Sequence, residues 1–352
     1  MRSLPRVALV VLVPGALTAQ IVPTHISPVA AATGLGNSNN NIPFSWSPCS
    51  YQQVHGVTSF SSTQVGLWQR MALRMANGFA NNAGRTVDLE LFLAESPNDG
   101  ASASGTFANN VVSGSEINVM PRTMVNLPQI PDNSWSMTLP FTTPFLFTGL
   151  AHISWRVNNY GNSNNNSIFT YPLDAWSSWG SSQGLGSGCR SNNGTSPAQH
   201  SAVVPAPGQV AQFYGYSYVP AGGLAAVLTI GNSASSFFGV PLPFDLTPLG
   251  APSCSLYVNW LLVLTGSTNA NSSGSVQINV PLPNDPALTG STIHSQYLFA
   301  DPTGNALGLF TSNGQSTQVG EARNTARIYG LGGPGLTGGS LERQYGMAIA
   351  FN

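Results

Sequence analysis

The scarcity of charged side chains is the feature that most restricts how this 352-residue chain can fold. Only 7% of its residues are charged, whereas an average soluble domain has roughly 25%. Lysine is absent, so the polar surface must be built from Asn, Ser, Thr, Gly and Gln. These short side chains compete with a helix for backbone hydrogen bonds, and 38 glycines and 26 prolines interrupt helices further. The composition therefore predicts an all-β fold without long helices.

The charge balance bears on the partners of the protein. Eleven basic residues, all arginine, face twelve acidic ones, which leaves a net charge of −1. Nucleic-acid binding relies on clustered positive charge to displace counterions from phosphates. We therefore do not expect a nucleic-acid partner.

The N-terminus reads as a targeting segment over residues 1–19. Arg2 and Arg6 precede a short apolar run, Val7–Ala19. That run is too short to span a hydrocarbon core of about 30 Å, so a cleaved signal peptide is favoured over a retained membrane anchor. We expect a secreted or cell-surface protein without a membrane span after the signal is removed. Residues 20–41, rich in Pro, Ala, Gly and Asn, are predicted to form a flexible arm.

Alternation of apolar and polar residues predicts strands along the rest of the chain. Val or Leu occupies every second position over 87–93, and the same period of two recurs at 151–157 and 276–280. The segment 65–75 also suits helical spacing, but the composition around it favours a strand. Turn residues separate these runs at short intervals, which is typical of sandwiches and barrels.

A Gly- and Ser-rich tract over 177–197 predicts the boundary between two domains. We predict two tandem β-sandwich domains of jelly-roll-like type, over 42–186 and 187–352.

The three cysteines, Cys49, Cys189 and Cys254, allow one disulfide and one remaining thiol in an exported chain. Spacing alone does not choose among the three pairings. The chain has no Cys-x-x-Cys motif, so neither a redox site nor a thiolate zinc site is predicted.

Several short sequence segments resemble segments found in a group of exported two-module β proteins of environmental bacteria, for which no activity is established. In the C-terminal half these segments are 226–231, 240–246, 249–254, 283–290 and 312–314. In the N-terminal half they are 51–54 and 87–96. The resemblance implies export and architecture, not chemistry. It also implies a Cys189–Cys254 disulfide with Cys49 free, and a loop-entropy model gives such a link ~4 kcal/mol of stabilisation. The group has Gly where this chain has Ser253.

Two patterns raise the alternative of a secreted hydrolase acting on glycans or esters. Asp88 and Glu90 lie on one strand face, roughly 6–7 Å apart on strand geometry, within the range of glycosidase carboxylates. Ser182 lies in Gly-x-Ser-x-Gly, but a nucleophile elbow needs a helix to follow, and none is indicated. Solvated charges and a flexible loop are the favoured interpretations, so no catalytic residue is predicted.

No metal or cofactor is predicted. The five histidines lack metal-ligand spacing. Asp99, Asp285 and Asp301 lie in Asn-, Gly- and Pro-containing turns, where an aspartate most often caps its own turn. Structural calcium is the alternative, without support from an EF-hand spacing.

The strongest indication of a binding surface is Tyr214-Gly-Tyr216-Ser-Tyr218. On a strand these rings share one face at ~6.6 Å intervals, close to the spacing of successive sugars. Packing into a core is the alternative. Trp176 and Trp179 lie in a polar segment and are predicted to be exposed. We therefore expect a non-catalytic extracellular protein that either binds a polysaccharide or has a structural role.

Overall fold

A computed structural model describes residues 24–46, 48–79, 85–130 and 133–352 of the chain. The predicted signal peptide, 1–19, lies outside these residues. The all-β prediction is confirmed, with 48% of residues in strands and 5% in helices. None of the helices in the described ranges is long or apolar enough to cross a membrane.

The strands are short to medium in length and pair in antiparallel fashion. They are β1 (His25–Ser27), β2 (Ser38–Asn40), β3 (Cys49–His55), β4 (Gly66–Leu73), β5 (Arg85–Ser96), β6 (Ile117–Leu127), β7 (Met137–Phe147), β8 (His152–Asn162), β9 (Leu173–Ser177), β10 (Ser182–Leu185), β11 (Gln199–Val203), β12 (Val210–Tyr216), β13 (Ala225–Gly231), β14 (Ser236–Phe237), β15 (Val240–Pro241), β16 (Phe244–Asp245), β17 (Ser255–Leu256), β18 (Leu262–Ser267), β19 (Ser275–Pro281), β20 (Thr292–Ala300), β21 (Leu309–Gln318), β22 (Thr325–Leu331), β23 (Ser340–Arg343), β24 (Tyr345–Met347) and β25 (Ile349–Phe351).

Helical structure in the described residues is limited to single 3-10 turns. They cover Val29–Ala32, Val57–Ser59, Phe107–Asn110, Thr247–Leu249 and Pro286–Leu288.

One sandwich, which we call the terminal sandwich, contains strands from both ends of the described chain, over 24–177 and 325–351. Its sheets have the orders β23-β22-β3-β8-β5-β6 and β1-β25-β4-β7, with a smaller sheet β2-β9-β24. Apolar side chains from both larger sheets form one core, including Leu91, Trp155 and Phe351. The predicted alternation over 87–93 is confirmed, because its Val and Leu side chains are buried and its polar side chains are half-buried on the other face.

A second sandwich, which we call the inserted sandwich, lies between these two parts of the chain, over 182–318. Its sheets have the orders β10-β21-β20-β13-β18 and β11-β12-β19. Phe213, Phe299 and Phe310 lie in the core between them. Two further pairs, β14-β15 and β16-β17, follow β13 along the chain and form separate two-stranded sheets.

The predicted disulfide is confirmed: Cys189 and Cys254 are bonded within the inserted sandwich. Cys49 is free and buried, and burial raises the pKa of its thiol to about 12. Ser253 has a φ of +63°, a left-handed conformation that glycine adopts without steric cost. The backbone before Cys254 thus takes a conformation that glycine adopts more easily than serine.

The predicted domain organisation differs from the observed pairing in two respects. Residues 20–41 are not a free arm where they are described, because β1 pairs with β25 and β2 pairs with β9. The segment 187–352 is not one domain, because β22 pairs with β3 and β25 with β4. The boundary near residue 186 also falls too late, since β10 already pairs with β21. Sequence-local signals detect turns, but they do not reveal that a C-terminal strand returns to an N-terminal sheet.

Candidate functional site

The predicted tyrosine row, Tyr214, Tyr216 and Tyr218, lies on and just after β12. Along this strand Ala211, Phe213 and Gly215 are buried, and the residues between them are half-buried. Because side chains of a strand alternate between its faces, Tyr214 and Tyr216 project from the face opposite the core. The tyrosine row is therefore on the outside of the inserted sandwich and does not contribute to the core between its sheets.

Hydrogen bonds from buried side chains hold β12 on the side that faces the core of the inserted sandwich. The hydroxyl of Tyr297 donates to Phe213 O at 2.9 Å. The Nδ1 of His200 lies 2.9 Å from Tyr214 O, and its Nε2 lies 2.8 Å from Ser295 Oγ. Since a carbonyl oxygen only accepts, Nδ1 carries a proton. Burial lowers the pKa of His200 to about 4, so the imidazole is neutral at neutral pH and its Nε2 accepts from the serine hydroxyl.

The glycine between the first two tyrosines has a packing role. A Cβ at Gly215 would lie 2.9 Å from side-chain atoms of both Tyr297 and Val276. Such distances are too short for carbon atoms in contact. The row therefore lies on a strand that approaches the core ring of Tyr297 more closely than a side chain would allow.

Uncharged polar residues flank the row on both neighbouring strands. Gln199 and Ser201 of β11 lie opposite Tyr216 and Tyr214, and Gln277 of β19 lies opposite Tyr214. Directly paired residues share a sheet face, so these amides and hydroxyls lie on the same surface as the rings. Gln199 also lines an adjoining cleft of about 410 Å³. The surface combines aromatic rings with groups that can both donate and accept hydrogen bonds.

Tyr218 continues the row through a backbone conformation that is costly for tyrosine. Its φ is +54°, in the left-handed region that L-residues other than Gly, Asn and Asp seldom occupy. Tyr218 N donates to Ser273 O, and Thr195 N donates to Tyr218 O, each at 2.9 Å. The ring centroid of Tyr218 then lies 6.3 Å from that of Tyr216. Its hydroxyl donates to Gln199 Oε1 at 3.1 Å, so the ring is oriented over the same face.

The two tryptophans predicted to be exposed have different environments. Trp179 is 53% exposed. Trp176 is half-buried, and the guanidinium of Arg323 lies 4.6 Å from its ring centroid. Gly180 N donates to Val204 O, which places Trp179 near the end of β11 that is away from Tyr216. The structure therefore does not bring the tryptophans into the tyrosine row.

The acidic pair considered for glycan hydrolysis is engaged in side-chain contacts. Asp88 accepts from Arg122 through both carboxylate oxygens, the shortest contact being 2.7 Å. Glu90 accepts from Tyr160 Oη at 2.8 Å and from Asn118 Nδ2 at 2.9 Å. A cleft of about 570 Å³ in the terminal sandwich is lined by other residues. The geometry provides no pair of carboxylates facing a sugar-sized cleft here.

The serine of the Gly-x-Ser-x-Gly pattern lies in a strand. Ser182 opens β10, and its hydroxyl contacts Gln315 Oε1 at 2.8 Å and Thr317 Oγ1 at 2.9 Å. A nucleophile elbow requires a strand, a sharp turn and a helix in that order. The local structure does not match that order, and neither of these two partners is a histidine.

The turn aspartates mostly accept hydrogen bonds from nearby residues of their own loops. Asp99 accepts from Ala101 N and from the backbone and hydroxyl of Ser102. Asp285 accepts from Ala287 N at 3.0 Å. Asp301 accepts from Thr303 and also from a second loop, through Ser191 and Asn193. In the part of the chain that the structure describes, no group of three or more His, Cys, Asp or Glu side chains is placed to hold a metal ion.

The residues that sequence reasoning missed are the polar neighbours of the row. Period-two alternation within β11 and β19 could have indicated which of their residues point outward. It could not indicate that these two strands flank β12, because strand order is a long-range property. Comparison with protein-family models and with curated proteins finds no match to this chain.

Proposed function

We propose that this protein is an exported, non-catalytic protein that binds an uncharged polysaccharide on the outer face of the β11-β12-β19 sheet. The observation that carries the proposal is the tyrosine row, three half-buried rings on a solvent-facing sheet surface. Large amphipathic aromatic rings contribute most to binding when they are preorganised, because little side-chain entropy is then lost. Export is supported by the sequence of the N-terminus and by a disulfide, which is typical of oxidising compartments.

The chemistry around the rings favours a neutral ligand. The residues opposite Tyr214 and Tyr216 are Gln199, Ser201, Ser275 and Gln277. Amides and hydroxyls match the mixed donor and acceptor character of sugar hydroxyls. A glycan rich in carboxylates or sulfates would be better matched by arginines, and the positions paired with the row hold none.

The left-handed conformation of Tyr218 supports a binding role for the row. A non-glycine residue in this region costs about 1–3 kcal/mol, and such residues cluster at functional sites. Here the conformation brings a third ring next to Tyr216 and onto the same face. The hydrolase alternative receives no comparable support, since Asp88 is paired with Arg122 and Ser182 lies in a strand.

The proposal is tested by affinity electrophoresis of the mature protein through gels that contain soluble glucans, xylans or mannans, with alginate and pectin as acidic comparisons. We expect retardation by at least one neutral polysaccharide. Tyr216→Ala should weaken binding at least about tenfold, which corresponds to roughly 1.4 kcal/mol, because it removes the central ring.

Tyr160→Ala is the matched control, since it removes a half-exposed tyrosine from an outer strand face of the terminal sandwich. Its affinity for the polysaccharide should equal that of the unmodified protein. The proposal fails if no neutral polysaccharide binds, or if Tyr216→Ala and Tyr160→Ala bind equally well.

A further inference from the structure

The terminal sandwich has a cleft of its own, on the outer face of its six-stranded sheet. Its volume is about 570 Å³, and pockets of roughly 300–1,000 Å³ are those in which proteins bind small molecules. The lining comes from the loop between β5 and β6, from the loop between β22 and β23, and from Arg156 of β8. Trp155 and Val157, the neighbours of Arg156, are buried in the core, so Arg156 projects from the opposite face of the strand.

The two loops are attached to each other and to the sheet. Phe107 N donates to Thr337 O at 3.0 Å, which joins one loop to the other. Phe107 O accepts from Gln52 Nε2 of β3 at 3.1 Å. The ring of Phe107 belongs to a small buried cluster with Val54 and Ile328 on the outer face of the sheet. The walls of the cleft are therefore preformed, and a ligand does not have to order them when it binds.

Apolar side chains form part of the lining. Phe107, Val111 and Leu336 all contribute to it, and Leu336 is 37% exposed although it is apolar. An apolar group of a ligand placed against these side chains leaves water, which is favourable in proportion to the area buried. The cleft is therefore suited to a ligand that has an apolar part.

An ion pair forms another part of the lining. Arg156 Nη2 donates to both carboxylate oxygens of Glu116, at 3.1 and 3.2 Å. The guanidinium also lies 4.4 Å from the ring centroid of Phe92, the residue of β5 that is paired with Arg156. A guanidinium packed on an aromatic face is attracted by the ring. Glu116 and Phe92 together hold Arg156 in a defined position beside the apolar side chains.

Both members of the pair have hydrogen-bonding groups left for a ligand. A guanidinium has five N–H donors, and within the described residues Nε and Nη1 of Arg156 have no hydrogen-bond partner. A carboxylate has acceptor sites for about four hydrogen bonds, of which Arg156 uses two on Glu116. The side chains of Arg156 and Glu116 are 21% and 33% exposed. A ligand can therefore reach free donors and free acceptors without breaking the ion pair.

The direct contact between the two charges restricts the charge of the ligand. A ligand with a single charge is attracted by one member of the pair and repelled by the other at nearly the same distance. A zwitterion avoids this repulsion, since its carboxylate pairs with Arg156 and its ammonium group with Glu116. In an α-amino acid both charged groups are attached to one carbon, and this short separation matches a pair in direct contact at 3.1 Å.

We propose that this cleft binds an α-amino acid with an apolar side chain. The carboxylate accepts from the free N–H groups of Arg156, the ammonium group donates to Glu116, and the side chain packs against Phe107 and Leu336. The site shares no residue with the tyrosine row and lies in the other sandwich. It therefore stands or falls independently of the polysaccharide proposal.

The test is isothermal titration calorimetry of the mature protein with L-leucine and L-phenylalanine. We expect saturable binding of one molecule per chain. N-acetyl-leucine lacks the ammonium group and leucinamide lacks the carboxylate, so each should bind at least about tenfold more weakly than leucine. These two comparisons separate recognition of a zwitterion from burial of an apolar side chain alone.

Glu116→Gln should weaken leucine binding at least about tenfold and remove the preference for leucine over N-acetyl-leucine, because the ammonium group has lost its carboxylate. Arg156→Gln should likewise remove the preference for leucine over leucinamide. Arg122→Gln is the matched control, since it removes the cation of another ion pair, with Asp88, on the same sheet and outside the lining. It should bind leucine like the unmodified protein, and circular dichroism should show all variants folded.

Three results would overturn the inference. The first is no binding of either amino acid by the unmodified, folded protein. The second is equal affinity for leucine, N-acetyl-leucine and leucinamide, because the ion pair would then play no part in recognition. The third is an equal loss of leucine binding in Glu116→Gln and Arg122→Gln, which would indicate a general effect of removing a charge from this sheet.

Discussion

His200 links the core of the inserted sandwich to the tyrosine row. Its ring is buried, and it donates to the backbone of Tyr214 on the strand that carries the row. Burial removes water from the ring, which disfavours the charged imidazolium and keeps the imidazole neutral at neutral pH. His200 therefore holds the backbone of the tyrosine row in place, and the stability of the fold is expected to fall when this ring is protonated.

This sensitivity predicts a loss of stability between pH 6.5 and pH 4. Burial lowers the pKa of His200 in the folded state from 6.5 to about 4, so the unfolded chain binds the proton first as the pH falls. The stabilisation is complete above pH 6.5 and decreases by about 3 kcal/mol by the time the pH reaches the folded-state pKa. Urea unfolding at several pH values measures this change.

His200→Gln keeps a donor and an acceptor but does not titrate in this range. Its free energy of unfolding should vary less with pH than that of the unmodified protein, by about 3 kcal/mol over the same interval. His55, whose pKa burial lowers to about 3, contributes the same acid sensitivity in both proteins. Equal pH dependence of the two proteins would show that His200 does not titrate as described.

Substitutions at Tyr218 test whether its left-handed backbone conformation lowers the free energy of unfolding. Tyr218→Asn and Tyr218→Ala both remove the ring, but asparagine tolerates the left-handed region much better than alanine. The Asn variant should therefore exceed the Ala variant in free energy of unfolding by about 1 kcal/mol. Chemical denaturation measures this difference, and both variants should bind polysaccharide equally weakly. An Ala variant as stable as the Asn variant would contradict the conformation.

At the scale of single elements, alternation in the sequence was a reliable guide. The segment 65–75, which suited both helix and strand, contains β4 and forms a strand as predicted. The spacing of the tyrosine row correctly placed Tyr214 and Tyr216 on one face of β12. The tyrosines face outward because the other face of β12 packs against Tyr297. Tyr297 belongs to a strand about 80 residues later in the chain, so local spacing does not reveal this contact.

Local sequence spacing is limited in the same way for the acidic pair on β5. Asp88 and Glu90 were correctly expected on one polar strand face. Their partners, Arg122 and Tyr160, lie on the adjacent strands β6 and β8. Local spacing predicts where a carboxylate points, whereas the neighbouring strands decide whether it is paired.

At the scale of the whole molecule, the described chain contains one sandwich inserted into another. Removing residues 321–352 would delete β22 to β25 and withdraw Met347, Ile349 and Phe351 from the core of the terminal sandwich. We expect a chain ending at Gly320 to lose hydrogen-exchange protection in β3, β4 and β8. Protection should persist in β13, β20 and β21, which have their own core and disulfide.

Mass-spectrometric hydrogen exchange on the truncated and full-length chains measures this pattern peptide by peptide. The prediction for two tandem domains is the reverse, with the loss confined to strands that follow residue 186. Loss of protection in β13, β20 and β21 with retention in β3 and β4 would therefore favour the tandem arrangement.

The amino-acid sequence by itself determined the all-β class, the strands with clear alternation and the shared face of Tyr214 and Tyr216. These properties follow from the composition and from the period of two, which are local. Only the tertiary structure decided that the C-terminal strands return to the N-terminal sheets and that the tyrosine row faces outward. Each of these depends on which distant strands pair, because hydrogen bonding between strands is satisfied equally well by many partners until side-chain packing selects one.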